Sequence, residues 1–68
     1  MEEFVQIDYF KVPITKKFNL ITEKESYGGC VYVSHDVYIL IVDYQLVLGE
    51  YRQAQILVED IKSIEYSK

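Results

Sequence analysis

The sequence predicts an all-β or β-dominated α+β domain, built as one small antiparallel sheet or partly open barrel of five to six short strands with at most one short helical turn. Three observations carry this expectation. β-Branched and aromatic residues gather in short runs, such as Phe4 to Val12, Cys30 to Ser34 and Val37 to Tyr44, and these residue types suit a pleated, half-buried surface. Several runs alternate with period two, the signature of a strand with one face in the core. At 68 residues there is room for one domain, residues 1–68, around a single hydrophobic core.

The first run, Phe4 to Val12, alternates through Val5, Ile7 and Tyr9 and is expected to form one half-buried strand, ended by Pro13, which lacks a ladder donor. Thr15 to Ser26 is the most polar stretch, and the alternation of Phe18, Leu20 and Thr22 favours a strand over one or two helical turns. Gly28-Gly29 is read as a turn, because glycine accepts positive φ without steric cost. Cys30 to Ser34 and Val37 to Tyr44 then form a hairpin across Ser34-His35-Asp36, which has turn chemistry. Every position from Val37 to Val42 is apolar, which predicts a strand covered on both faces in the middle of the sheet.

Downstream, Gln45 to Tyr51 carries Leu46 and Leu48 on one face and is interrupted by Gly49, and Ala54 to Val58 forms another strand with Ile56 and Val58 pointing the same way. Glu59-Asp60 breaks the pattern. Ile61 and Ile64 are three apart, so the C-terminal segment is either a short helix or a turn followed by a strand.

A domain of this size gains little more from its core than it loses in chain entropy, and small natural domains add disulfides, a metal or self-association. Cys30 is the lone cysteine and His35 the lone histidine, so an internal disulfide and a Cys/His zinc site are both excluded. A homodimer is the expected supplement. The chain is 50% hydrophobic and 15% aromatic, well above the range of a disordered segment. The longest apolar run, Val37 to Val42, falls far short of the roughly 20 residues of a membrane helix. The N-terminus opens with Glu2 and Glu3 where a signal peptide would be basic. No membrane association and a cytoplasmic location are expected, and a single free cysteine accords with a reducing compartment.

The chemistry-bearing residues are few. Cys30 and His35 are the only candidates for a nucleophile and its base, and nothing obvious orients the imidazole as catalysis would require. Gly28-Gly29 is followed by Cys30 and not by the Lys-Ser/Thr of a phosphate-binding loop. The expectation is a non-enzyme with no catalytic residues, no metal and no cofactor. Direct nucleic-acid binding is not expected either: the net charge is −4, and no Lys or Arg lies between Lys24 and Arg52, a gap that holds Glu25, Asp36, Asp43 and Glu50. Phosphate contacts need basic side chains.

Four acid-tyrosine pairs stand out: Asp8-Tyr9, Asp43-Tyr44, Glu50-Tyr51 and Glu65-Tyr66. Within a strand, neighbours face opposite sides, so each pair reads as one solvated carboxylate and one core-facing ring; at a strand end, both groups are exposed. The second reading yields an acidic, tyrosine-bearing surface suited to a basic partner. The residues expected to form it are Asp36, Asp43, Tyr44, Glu50, Tyr51, Glu59, Asp60 and Glu65. In size, acidity and tyrosine content the chain resembles the small acidic β proteins that bacteriophages encode to block host proteins, some of which imitate the charge pattern of DNA. The resemblance implies binding and inhibition of a basic host protein, for instance a DNA-binding one, with Asp36, Asp43, Glu50, Glu59, Asp60 and Glu65 in the phosphate-like role. The alternative reading is a small SH3-like or Sm-like barrel acting as an assembly subunit or RNA-binding module.

Overall fold

The computed structural model describes residues 3–46 and 49–66. It contains seven strands: β1 (Phe4–Ile7), β2 (Phe10–Pro13), β3 (Phe18–Thr22), β4 (Ser26–His35), β5 (Ile39–Gln45), β6 (Tyr51–Leu57) and β7 (Ile61–Glu65). β1 and β2 form a two-stranded hairpin, and the other five form one antiparallel sheet in the order β6-β5-β4-β3-β7. The β class and the antiparallel sheet agree with the sequence reading. The strand number exceeds it by splitting the first run.

Phe4 to Val12 is two strands because Asp8 adopts φ +55° and reverses the chain, pairing Ile7 with Phe10. Aspartate is among the few non-glycine residues that tolerate this left-handed region, and a two-residue hairpin loop needs positive φ. Period-two alternation runs unbroken across such a tight loop, so the pattern conceals it. Pro13 does not end the pairing either. It stands opposite Phe4, and the Ile14 N–H donates to the Glu3 carbonyl at 3.0 Å just beyond. That bond makes Phe4 and Pro13 a non-hydrogen-bonded pair, in which the proline nitrogen has no ladder bond to make.

Gly28-Gly29 is not a turn but lies inside β4. The reversal from β3 to β4 falls earlier, at Thr22 to Glu25, where the Thr22 N–H donates to the Glu25 carbonyl at 2.8 Å and the Thr22 hydroxyl oxygen accepts from the Glu25 N–H at 3.0 Å. The glycines instead form a bulge: Phe18 faces Cys30 and Leu20 faces Tyr27, so β4 carries one residue more than β3. Gly29 takes φ +61°, and its N–H donates to the Asn19 side-chain oxygen at 3.3 Å. A glycine in the left-handed conformation is one form such a bulge takes. A Cβ at Gly29 would lie 3.1 Å from Gln45 Cβ, whereas one at Gly28 meets nothing nearer than 3.7 Å. Gly29→Ala is therefore expected to cost about 1–2 kcal/mol, lowering Tm by roughly 4–16 °C for a chain this short, while Gly28→Ala stays close to wild type. Thermal denaturation of the two variants, followed by circular dichroism, distinguishes this from a simple glycine turn.

A second irregularity in β4 adds Val33 between the Tyr32–Val42 and Ser34–Ile41 pairs. Up to Cys30, β4 pairs with β3; from Val31 onward it pairs with β5. Bulges bend a strand and increase its twist, and this ten-residue strand carries two of them at the centre of the five-stranded sheet. β5 is flanked on both sides, although the middle position belongs to β4. Val37 and Tyr38 drop out of the expected β5 run and are 81% and 74% exposed, because the Asp36 carboxylate accepts the Tyr38 and Ile39 N–H groups, each at 2.8 Å, and closes a turn there.

Gln45 ends β5 and Tyr51 opens β6, and between them the Leu46 N–H donates to the Glu50 carbonyl at 2.7 Å; Val47 and Leu48, within the expected run, lie outside the described residues. The C-terminal segment resolves as a 3-10 turn, Val58–Asp60, followed by β7. This turn carries the chain from the β6 edge to the opposite side of the sheet, where β7 pairs with β3 as the other edge strand. Every strand contributes to one core: Ile7, Val12, Phe18, Leu20, Cys30, Leu40, Val42, Ile56 and Ile61, joined by Val58 from the turn.

Candidate functional site

The end of the sheet where β1, the β4–β5 turn and the end of β6 converge encloses an open groove of about 580 Å³. Its walls are Gln6 to Asp8, His35 to Tyr38, and Leu57 to Glu59. Three carboxylates, Asp8, Asp36 and Glu59, line it, and among the described residues no Lys or Arg does. The apolar body comes from Ile7, Val37, Leu57 and Val58, with Tyr38 and the half-exposed Leu57 open to solvent. Each carboxylate is set by local chain geometry: Asp8 by the positive-φ hairpin loop, Asp36 by the turn that it caps, and Glu59 by the 3-10 turn.

The N–H groups of Tyr38 and then Ile39 hold the Asp36 carboxyl below its ordinary value of 3.8, so it stays ionised well into the acid range. Because the folded value is the lower one, the turn gains stability from this charge above pH 3.8 and loses it as pH falls through the native value. Asp36→Asn is expected to melt below wild type at pH 7, with the difference in Tm shrinking as pH falls below 3.8. A pH series of melting curves for the two proteins measures this.

The structure brings only two of the expected site residues, Asp36 and Glu59, to the groove. Asp60 lies in a second, smaller groove of about 260 Å³ with Glu23, Lys24 and Glu25, where Lys24 and a 3.6 Å Lys62–Glu23 ion pair offset the acids. Asp43 sits half-buried on the outer sheet face opposite Val31 and Gln53. Glu50 and Tyr51 are exposed at the start of β6, and Glu65 is exposed on β7 opposite Asn19.

The acid-tyrosine pairs divide. Asp8-Tyr9 and Glu50-Tyr51 expose both members. In the other two the ring is half-buried: Tyr44 packs edge-on against Tyr27 at 5.0 Å, and Tyr66 against Phe4 at 5.4 Å. Tyr44 thus contributes to the packing around the core. Tyr51 and Tyr66 already face cations of the same chain, Lys17 at 5.5 Å and Lys16 at 4.8 Å. Within the groove, Asp8, Tyr38 and Leu57 are not among the residues the sequence points to. Unbroken alternation places Asp8 mid-strand, and the apolar run from Val37 places Tyr38 in a covered strand.

Cys30 and His35 do not meet as a pair. Cys30 is fully buried, its thiol pushed up to about 11 by burial and donating to the Tyr27 carbonyl at 3.4 Å. His35 is exposed and its Nδ1 shares a hydrogen bond with the Tyr32 hydroxyl at 2.7 Å. Tyr27 is held protonated, up to about 12, chiefly by its hydrogen bond to the Glu25 carboxylate and then by burial. Among the described residues no group of three or more His, Cys, Asp or Glu side chains is arranged to hold a metal, and no helix is long and apolar enough to cross a membrane.

No protein-family model, curated protein or solved structure matches the chain.

Proposed function

We propose that the protein is a non-enzymatic interaction module that binds a basic partner by seating a Lys- or Arg-bearing segment in the Asp8–Asp36–Glu59 groove. The observation that carries this is the composition of the groove: three carboxylates, no Lys or Arg among the described residues, and an exposed tyrosine at its rim. Carboxylates steer a cationic segment into register, while Tyr38, Val37 and Leu57 provide apolar contact for the aliphatic stem of a Lys or Arg. Where the partner is a DNA-binding protein, occupation of its basic site by this acidic surface inhibits DNA binding. The test mixes the protein with a basic DNA-binding protein on labelled duplex DNA at two salt concentrations. Displacement of DNA at low salt, weakened at high salt, supports competition; absence of displacement at low salt sinks it.

One observation favours a second reading. The β3-β4-β5-β6 meander, with β7 returning through a 3-10 turn to pair with β3, resembles the strand order of SH3-like barrels, which serve as assembly subunits or RNA-binding modules. Tight oligonucleotide binding with a steep salt slope would favour that reading over the acidic groove.

A further inference from the structure

The two edges of the five-stranded sheet are treated differently by the sequence. The β7 edge carries Lys62 and Glu65, its Lys62 is tied to Glu23 at 3.6 Å, and the β1-β2 hairpin packs beside it. Charged side chains and a covering element are the usual means of keeping a strand edge from pairing with another chain. The β6 edge has a single charge and, among the described residues, no covering element. Tyr51 to Leu57 contains no proline, no acid and no lysine, with Arg52 as its only charge. It pairs with β5 at seven consecutive positions without a bulge, and among the described residues no strand lies on its other side. A regular seven-residue edge so sparsely charged presents an open row of backbone donors and acceptors.

The side chains of β6 are also self-complementary. Tyr51, Gln53, Gln55 and Leu57 alternate onto the outer face, and all four are exposed. An antiparallel copy centred on Ala54 sets Tyr51 opposite Leu57 of the partner subunit and Gln53 opposite Gln55 of the partner subunit, apolar against apolar and amide against amide. Arg52 then faces Ile56, so the two arginines are never opposed, and the carboxylates of this chain of net charge −4 stay off the seam. We infer that the protein forms a two-fold homodimer by antiparallel β6–β6 pairing centred on Ala54, joining two five-stranded sheets into one of ten.

This pairing completes the groove. Leu57 lines it, and directly opposed residues in an antiparallel pair have Cβ atoms about 4.5–5.5 Å apart. Tyr51 of the partner subunit therefore comes against Leu57 at the groove rim, followed by Glu50 of the partner subunit. The exposed Glu50-Tyr51 pair, remote from Asp36 and Glu59 within one chain, joins them across the dimer. That last consequence rests on the groove reading, whereas the dimer itself does not.

Sedimentation equilibrium of the ligand-free full chain is expected to give twice the 8.0 kDa chain mass. The double variant Gln53→Lys/Gln55→Lys sets like charges opposite one another and should sediment as monomer with an unchanged circular dichroism spectrum. Ala54→Cys locates the axis. Directly opposed Cα atoms lie roughly 4.5–5.5 Å apart, inside the ~4.4–6.8 Å reach of a disulfide, so mild oxidation should cross-link this variant. Gln55→Cys, whose symmetry mate is displaced diagonally to about 7–8 Å, should not, and the buried Cys30 keeps the wild-type background silent. A wild-type mass of one chain at the highest soluble concentration overturns the dimer. A dimer that survives the double lysine variant, or cross-links better at Gln55→Cys than at Ala54→Cys, overturns this interface. Loss of groove binding with the dimer intact counts against the groove alone.

Discussion

Leu20→Ala is expected to remove a third or more of the stability of this protein. Leu20 is fully buried in β3, the strand that pairs on one side with β4 and on the other with β7, opposite Tyr27 and Ile64. Truncating a buried leucine forfeits its transfer free energy and leaves a cavity, together about 3–4 kcal/mol where the site cannot collapse. A folded chain of this length has roughly 3–10 kcal/mol in total. The variant should therefore show a urea midpoint reduced by about a third or more. Val33→Ala, at a position 41% exposed and outside both the groove and the β6 edge, is the control and should lose less than about 1 kcal/mol. A midpoint shift for Leu20→Ala no larger than that of the control would contradict the assignment of β3 to the centre of the core.

The second large effect falls on binding. Asp8→Asn combined with Glu59→Gln removes two of the three groove carboxylates and leaves Asp36, with its structural turn, in place. Paired charges at a partly exposed interface contribute on the order of 0.5–1 kcal/mol each, so affinity for a lysine- and arginine-rich peptide should fall about five- to thirtyfold at low salt. Screening shortens the reach of exposed charges, and the gap between variant and wild type should narrow at high salt. Fluorescence anisotropy with a labelled peptide at two ionic strengths measures both. Equal affinities at low salt would remove the groove from consideration, and the outer carboxylates Asp43, Glu50 and Glu65 would become the next surface to test. The groove is a more confined site than the dispersed acidic face expected from composition. Its charges converge because three separate turns meet at one end of the sheet.

The β class, the antiparallel hairpin of β4 and β5, the strand at Phe18–Thr22 and the burial of Phe18, Leu20, Leu40, Val42 and Ile56 follow from residue type and period-two alternation, which report local geometry and one buried face. Exclusion of a disulfide likewise needs only the count of one cysteine. What alternation does not encode is where a strand reverses within a continuous pattern, and so Asp8 and its φ of +55° split a run that reads as a single strand. Nor does a glycine pair announce whether it reverses the chain or adds one residue to it. Both uses need positive φ, and only the register of β3 against β4, fixed by burying Phe18 and Cys30 together, makes Gly29 a bulge. The apolar run from Val37 to Val42 loses its first two residues because the Asp36 carboxylate captures two backbone N–H groups, a local competition that hydrophobicity does not register. The candidate groove is wholly a tertiary product. Asp8, Asp36 and Glu59 are separated by more than twenty residues at each step, and they become neighbours because β7 returns across the sheet to β3 and the β1-β2 hairpin closes against it.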